Sequence, residues 1–178
     1  MNTIEIIKCV DKSNFAELRK SFRGVTSFDR LSSEAILKPN QFLIVNSCHS
    51  SVNSIYCHWM LIIRSFNEIS FFDSFGTKNK KNLSKDLLKF INRHKLNIKN
   101  KKNKKIVFKV TKRRVQASSS ILCAIFCLVF ASLKLNLKYS NNKILKYFHK
   151  KNYLLNDKLV INAFHRLFSC KLNSTMQK

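Results

Sequence analysis

Glycine and proline are almost absent from this chain, which contains only Gly24, Gly76 and Pro39 among its 178 residues. So few glycines exclude a glycine-rich phosphate-binding loop and any repeat whose turns are built on glycine. Apolar residues nevertheless make up 45% of the chain, and phenylalanine alone occurs 15 times, which predicts a folded globule. Because no repeat or linker is visible, the sequence predicts one domain over residues 1–178.

Acidic residues are scarce as well. Nine Asp and Glu stand against 34 Lys and Arg, which gives a formal net charge of +25. Mutual repulsion among so many cations opposes the compact state unless a polyanion is nearby. The imbalance therefore favours contact with nucleic acid over a basic surface that only keeps the protein soluble.

Long apolar runs are missing too. The longest, residues 121–131, has 11 residues, which is too short to span a bilayer and predicts a buried helix. Residues 1–5 lack the basic and apolar stretches of a secretory leader. In a chain that is not secreted, the cysteines are expected to be reduced rather than paired. They are Cys9, Cys48, Cys57, Cys123, Cys127 and Cys170.

The middle of the chain predicts a group of strands. Residues 42–45, 59–63 and 68–73 are short apolar runs, and residues 64–67 suit a hairpin between the last two. In an antiparallel pair, the start of one strand lies beside the end of the other. The sequence therefore places His58 and Asp73 next to each other at one edge of a sheet.

Other segments predict helices around these strands. Two further helices are expected in the last 40 residues. The remaining predicted elements are a short helix opening at 13–18 and stopped by Gly24, an amphipathic helix at 82–94, an exposed lysine–asparagine loop at 99–105, a strand at 106–110 and an apolar helix at about 120–135.

Cys123 follows three serines at the start of the apolar helix. Serine is a good N-cap, so the helix is predicted to begin near residues 118–120, with Cys123 in or near its first turn. There the unpaired backbone N–H groups and the helix dipole stabilise a thiolate. His58 is the candidate for an imidazolium that lowers the pKa of this thiol further, and Asp73 is the candidate that orients the imidazole.

Gln116 lies seven residues before Cys123, on the loop that enters the helix. Its side-chain amide and the Cys123 backbone N–H provide the two converging donors that a tetrahedral oxyanion requires. Cys127 is the rival nucleophile, but it lies one turn deeper among apolar neighbours and is predicted to be a structural thiol. Each residue taken alone has an ordinary structural explanation, and their joint order favours a catalytic site.

Three segments resemble the adenovirus maturation protease family (adenain). They are Cys-His-Trp at 57–59, Phe-Phe-Asp-Ser-Phe-Gly at 71–76, and residues 115–127, which contain Gln116 and Cys123. A fourth segment, 24–29, is similar to a Gly-x-Phe-Asp element of adenain with extra residues. More distantly, the chain resembles the ubiquitin-like-specific proteases, which share this His, acid, Gln, Cys order.

The resemblance implies an α+β adenain-like cysteine protease fold, with a small mixed sheet half packed on a helical half and the nucleophile at the start of a central helix. It implies a DNA-associated endopeptidase that cleaves viral precursor capsid or core proteins after small residues during particle maturation. Trp59 would pack beside the catalytic His58. No chemical cofactor is implied, and double-stranded DNA would act as the activator. We expect a monomer that does not bind membranes and acts in the virion and the host nucleus.

The chain departs from adenain at three places. Ala124 follows the nucleophile where the family usually has glycine, and a methyl group there is expected to narrow the cleft or tilt the oxyanion donors. Asp73 stands where adenain has Glu. Adenain is activated by a viral peptide tethered through a disulfide to a cysteine before the Gln, but residues 99–115 contain no cysteine. A viral peptide activator would therefore bind non-covalently or elsewhere.

Three alternatives stay open. In the first, the chain is a protease that removes ubiquitin-like modifiers. In the second, it is a basic nucleic-acid-binding protein whose protease-like site is inactive, and Ala124 next to the nucleophile is the reason to consider this. A metal site made from Cys57, His58, Cys123 and Cys127 is the weakest alternative, because no CxxC pair occurs.

The basic residues predicted to bind nucleic acid flank the strand predicted at residues 106–110. The chain has neither an array of exposed aromatics nor the cysteine and histidine spacing of a zinc finger. The predicted mode of nucleic-acid binding is therefore sequence-independent contact with phosphates. The lysine run also suits a solvated loop or a nuclear-localisation signal. The residues are Lys101, Lys102, Lys104, Lys105, Lys112, Arg113 and Arg114.

Overall fold

The computed structural model describes residues 1–51, 57–77, 83–99 and 106–169. The elements alternate between short helices and strands in the first two thirds and are helical afterwards. In chain order they are α1 (Thr3–Asp11), α2 (Ala16–Ser21), β1 (Phe22–Ser27), a 3₁₀ helix (Phe28–Ser33), β2 (Gln41–Asn46), β3 (Trp59–Arg64), β4 (Glu68–Phe72), α3 (Lys85–Lys99), β5 (Val107–Val110), α4 (Cys123–Leu135), α5 (Asn141–Lys146) and α6 (Tyr153–Leu167).

The described strands form one mixed sheet in the order β1-β2-β3-β4-β5. The central strand β3 is antiparallel to both β2 and β4, whereas β1 runs parallel to β2 and β5 runs parallel to β4. The hairpin predicted between residues 59–63 and 68–73 is present as β3 and β4. Its register brings the beginning of β3 beside the end of β4, which is where His58 and Asp73 lie.

Both faces of the sheet are covered by helices. Every residue of β3 is buried, which agrees with its unbroken apolar run over residues 59–63 before Arg64, rather than an alternating pattern. On one face Leu61 and Ile63 join the core that contains α4 and α6. On the other face Met60 and Ile62 join a second core that contains α3. This arrangement confirms the predicted α+β class.

Helix α4 is the apolar helix expected from the sequence, and nearly all of it is buried. It begins at Cys123 rather than near Ser120, because the serines do not cap it. The Ser120 backbone N–H bonds to the Ala117 carbonyl, and the Ser120 hydroxyl accepts from the Leu122 N–H. The serines thus make a turn ahead of the helix, and Cys123 becomes its first residue. Within the residues described, no helix is both long and apolar enough to cross a membrane.

The N-terminal strand was not predicted. The sequence placed Phe22 on a helical face, but α2 ends at Ser21 and Phe22 starts β1, where its ring packs 5.2 Å from that of Phe42. Helix α1 was not predicted either, although Asn2 and Glu5 form a capping box at its start. The amphipathic helix predicted at 82–94 is α3, which runs on to Lys99, and residues 100–105 of the predicted loop lie outside the described residues.

The expectation that all cysteines are reduced is wrong for Cys48 and Cys57, which form a disulfide with their Cα atoms 5.5 Å apart. The pairing follows from the register. Asn46 and Trp59 are the last partners of β2 and β3, and each cysteine lies two residues beyond one of them. The pairing of β2 with β3 therefore places the two cysteines next to each other. Cys9, Cys123 and Cys127 are buried and are not part of a disulfide, and Cys170 lies outside the described residues.

Gly76 forms the turn that follows β4, and its N–H bonds to the Asp73 carbonyl. Its φ is +76°, and a Cβ atom built on it would lie 2.6 Å from the Arg114 nitrogen and 2.7 Å from the Lys112 carbonyl oxygen. Gly24 has a φ of +125° but nothing within 4 Å of such a Cβ. The two glycines therefore differ only in the space around them.

We expect Gly76→Ala to destabilise the protein clearly more than Gly24→Ala. Backbone strain at a positive φ costs about 1–3 kcal/mol at either position. At Gly76 the methyl group also collides with backbone atoms of Lys112 and Arg114, which cannot move aside without displacing the loop that leads to Gln116. Urea denaturation of both variants measures the difference. Equal losses of unfolding free energy would contradict the close approach of the two segments.

His94 is a buried histidine of α3 held neutral by two hydrogen bonds. Its Nε2 accepts from the Leu37 N–H at 2.8 Å, and its Nδ1 donates to the Phe90 carbonyl at 2.9 Å. Burial lowers the pKa of His94 to about 4, and the neighbouring charges of Arg64 and Arg93 contribute, although the Phe90 carbonyl opposes them.

We expect the free energy of unfolding to fall as the pH drops from about 6.5 to about 4. In that window the unfolded chain protonates His94 and the folded chain does not, so about 3 kcal/mol is lost. Chemical denaturation between pH 4 and 7.5 measures the slope. In His94→Gln the slope over this window should flatten, and an unchanged slope would assign it to other groups.

Candidate active site

His58 and Asp73 face each other at the edge of the sheet. His58 immediately precedes β3 and Asp73 immediately follows β4, and His58 Nε2 lies 2.7 Å from Asp73 Oδ1. The carboxylate is itself held in place. It accepts from the Phe75 N–H at 2.9 Å and from the Thr77 hydroxyl at 3.4 Å. The antiparallel register thus fixes the pair, and the turn after β4 orients the acid.

Cys123 completes the cluster as the first residue of α4. Its Sγ accepts from the Trp59 backbone N–H at 3.5 Å, and the residue is 7% exposed. The first N–H groups of a helix have no partner within the helix, and the helix dipole is positive there. The sulfur therefore lies where a negative charge is stabilised.

The imidazole of His58 connects the acid to the sulfur. Its Nδ1 is buried and makes no hydrogen bond to nitrogen or oxygen among the described residues. Burial opposes a charge on this ring, but hydrogen bonds and charge interactions with Asp73 and Cys123 raise the pKa of His58 to about 9. At neutral pH the ring is therefore an imidazolium that contacts Asp73 through Nε2 and lies close enough to Cys123 for the thiol to raise its pKa. The His58 side chain is 20% exposed, so the cluster can be reached from solvent.

Gln116 lies on the loop before α4 and is completely buried. Its Nε2 donates to the Ser120 carbonyl at 2.7 Å, so one of its two N–H bonds is used within the loop. The Gln116 backbone carbonyl accepts from Arg114 Nε at 2.6 Å. The side chain is therefore held next to the start of α4, where the sequence placed an oxyanion donor.

Cys127 lies one turn deeper in α4, as predicted. It is wholly buried and donates from Sγ to the Trp59 carbonyl at 3.5 Å. Burial raises the pKa of the Cys127 thiol well above its ordinary value, and the nearby charges of Cys123 and Asp73 contribute. A thiol in this state does not ionise at neutral pH and is not exposed to solvent.

Trp59 and Ala124 pack into the core around this cluster. The Trp59 indole N–H donates to the Met1 carbonyl at 3.0 Å, and its side chain belongs to the core that surrounds α4. Ala124 is 1% exposed and belongs to the same core. Its methyl group is therefore enclosed by the core, and its expected effect on the cleft and the oxyanion donors stays a prediction.

Arg113 and Arg114 bond to carbonyl oxygens of the protein itself. The Arg113 guanidinium donates to the Phe148 carbonyl. The Arg114 guanidinium lies 4.7 Å from the centre of the Tyr153 ring and 5.7 Å from that of Phe75. Sequence reasoning missed these structural contacts. Of the other predicted nucleic-acid contacts, Lys112 is exposed, and Lys101, Lys102, Lys104 and Lys105 lie outside the described residues.

Phe75 is a site residue that sequence reasoning quoted but gave no role. Its ring packs 4.7 Å from the His58 ring, and the Arg114 guanidinium lies 5.7 Å from the centre of the same Phe75 ring. Its position two residues after Asp73, in a turn, was the available signal. No group of three or more His, Cys, Asp or Glu side chains arranged to hold a metal ion occurs in the described ranges.

The fold is similar to that of three solved structures from bacterial and viral sources. ChlaDUB1, an effector protein of Chlamydia trachomatis, superposes with a TM-score of 0.62 at 15% identity, over 93% of this chain and 84% of ChlaDUB1. The ASFV pS273R protease has a TM-score of 0.59 at 13% identity, over 96% of this chain and 67% of that protease. The C. trachomatis effector Cdu1, solved bound to ubiquitin, has a TM-score of 0.52 at 15% identity, over 92% of this chain and 76% of Cdu1.

Neither a protein-family model nor a curated protein sequence matches the chain. At 13–15% identity the structural similarity establishes the fold, which is the α+β cysteine protease fold predicted from the sequence. The similarity does not single out the resemblance to adenain in particular.

Proposed function

We propose that this chain is a cysteine peptidase that hydrolyses peptide or isopeptide bonds with Cys123 as its nucleophile. The observation that carries the proposal is the position of one histidine. His58 lies between a carboxylate and a sulfur at the start of a buried helix, and these two partners raise its pKa to about 9. A thiolate–imidazolium pair oriented by an acid is the arrangement that thiol-dependent acyl transfer requires.

The first step would form an acyl-enzyme. The Cys123 thiolate attacks the carbonyl carbon, so an S–C bond forms and the carbonyl electron pair moves to oxygen. The Cys123 backbone N–H and the free N–H of Gln116 Nε2 donate to that oxyanion. When the C–N bond breaks, His58 Nδ1 gives its proton to the leaving amine, and Asp73 keeps the ring in its orientation.

The second step would release the acid. His58, now neutral, takes a proton from water as the oxygen attacks the thioester carbon. The C–S bond then breaks, the carboxylic acid leaves, and the Cys123 thiolate faces a protonated His58 again. Each cycle therefore consumes one water molecule and requires no chemical cofactor.

Two substrate classes suit this chemistry. The charge of +25 favours a DNA-associated endopeptidase that cleaves viral precursor capsid or core proteins in the virion or host nucleus, as a monomer. The alternative is a protease that removes ubiquitin-like modifiers, and the similarity to an effector solved bound to ubiquitin supports it. In the first class, a viral peptide that binds non-covalently would act as an activator.

We expect purified protein to release a fluorophore from substrates ending in Gly-Gly, with an alkaline limb near pH 9. Activity should fall there because His58 loses its proton and the ion pair is lost. Cys123→Ala and His58→Ala should abolish turnover, and Gln116→Ala should lower kcat by about 100-fold to 1,000-fold. Intact ubiquitin-like modifiers carrying the same tail, assayed alongside short peptides, separate the two substrate classes.

Cys127→Ala is the matched control for Cys123→Ala, because it removes a thiol from the same helix one turn away. It should leave the kcat nearly unchanged. Loss of turnover in Cys127→Ala with retention in Cys123→Ala would overturn the assignment of the nucleophile. Absence of turnover together with tight DNA binding would favour the basic nucleic-acid-binding alternative.

We also expect duplex DNA binding to be independent of sequence and to weaken steeply with salt. Each phosphate contact that is lost should reduce the slope of log affinity against log salt by about one. Replacing Lys101, Lys102, Lys104 and Lys105 together by Gln tests the predicted loop, and Lys112→Gln tests the exposed cation after β5. Lys20→Gln, an exposed lysine elsewhere, is the control. Binding that does not depend on salt would refute phosphate contact.

A further inference from the structure

Ser74 makes three hydrogen bonds to the segment that carries Gln116, although the mechanism above gives it no role. The residue directly follows Asp73 and is completely buried. Its backbone carbonyl accepts from the Val115 N–H at 2.8 Å and from the Gln116 N–H at 3.1 Å. Its hydroxyl lies 2.5 Å from Gln116 Oε1. One residue therefore holds both the backbone and the side chain of Gln116.

These contacts determine which way the Gln116 amide faces. The Ser120 carbonyl only accepts, so the amide nitrogen must face it, as observed at 2.7 Å. The amide oxygen then faces Ser74, whose hydroxyl donates to it. An amide group is planar, so fixing Oε1 and one N–H bond also fixes the direction of the second N–H bond. That second N–H is the one available to an oxyanion.

We propose that Ser74 is a positioning residue that keeps the Gln116 amide aligned as an oxyanion donor. This inference rests on the proposed peptidase function. Ser74 touches neither the substrate nor the reacting atoms, and no bond to it changes during the reaction. Its effect is exerted before the reaction, because a donor that is already aligned needs no reorganisation when the oxyanion forms.

The sequence position of Ser74, directly after Asp73, links the oxyanion donor to the catalytic acid. Asp73 and Ser74 are consecutive residues after β4, where Asp73 contacts His58 and Ser74 contacts Gln116. One turn thus orients the imidazole with one side chain and the oxyanion donor with the next. A displacement of this turn would misalign both groups together.

The test compares Ser74→Ala with Gln116→Ala and with the double variant. Ser74→Ala should lower kcat about 10-fold with little change in KM, since the amide oxygen loses its donor and the amide is free to turn. On a Gln116→Ala background the same change should have no further effect, because the group that Ser74 positions is gone. Ser74→Thr, which keeps the hydroxyl, should restore most of the kcat.

Ser70→Ala is the matched structural control. Ser70 is also buried and lies four residues earlier, in β4, but its hydroxyl bonds to the Glu68 and Asn141 side chains, away from the site. It should leave the kcat unchanged. Thermal unfolding of every variant shows whether each one is folded under the assay conditions.

Alkylation by iodoacetamide separates positioning of the amide from damage to the thiolate. This reaction displaces iodide at a saturated carbon and forms no oxyanion, so it reports only on the Cys123–His58 pair. Ser74→Ala should alkylate Cys123 at the wild-type rate while its turnover of a Gly-Gly amide falls. An equal loss in both reactions would mean that Ser74 supports the fold of the site, and the proposal would be wrong.

The remaining outcomes separate the two proposals. Full turnover in Ser74→Ala, with a large loss in Gln116→Ala, would overturn the role of Ser74 and leave the peptidase intact. If Ser74→Ala lowers the kcat by the same factor in the wild-type and Gln116→Ala backgrounds, the role of Ser74 would also be overturned and the peptidase function would stand. A folded wild-type protein that turns over no substrate would overturn the peptidase function, and the role of Ser74 would fall with it.

Discussion

The arrangement of the site depends on the burial of α4 against the sheet. This helix is apolar on all sides, so it must be enclosed, and β2 and β3 cover it on one side and α6 on another. The Phe72 and Phe130 rings stack 4.1 Å apart across this contact. Since Phe72 ends β4, the same packing that buries the helix also holds the end of that strand against the middle of α4, where Phe130 lies. The Trp59 backbone at the start of β3 meets the first residue of α4 through Cys123 Sγ, so the positions of Cys123, His58 and Asp73 all depend on this burial.

Two histidines in this chain show how neighbours decide the charge of a buried ring. Burial lowers the pKa of His94 to about 4, and the charges of two nearby arginines act in the same direction. His58 is also largely buried, but its partners are a carboxylate and a thiol, and its pKa rises to about 9. The folded protein therefore holds one histidine neutral and one charged across the whole neutral range. Residue type gives no hint of this difference, which is set by contacts between distant segments.

The sequence was informative where a local pattern and the fold agree. Apolar runs predicted β2, β3 and β4, and the short connection between two of them placed His58 beside Asp73. The start of α4 was predicted three residues early because the serines cap a turn and not the helix. Strand β1 was missed because Phe22 fits both a helical face and a strand, and only its contact with β2 selects the strand. The disulfide was missed because it depends on the register of two strands. The catalytic roles of the site residues stay predictions.

The scarcity of glycine and proline leaves the loops of this protein to be held by other means. Within the part of the chain that the structure describes, five arginine side chains donate to backbone carbonyl oxygens, several of them in loops. The pairs are Arg19 with Ser13, Arg64 with Leu37, Arg93 with Glu34, Arg113 with Phe148, and Arg114 with Gln116. In this chain a guanidinium acts as an internal crosslink, and lysine, a single flexible ammonium, does not reproduce its planar set of donors. Part of the large positive charge therefore belongs to the architecture of the loops, and a count of basic residues overstates the charge that is free to meet a partner.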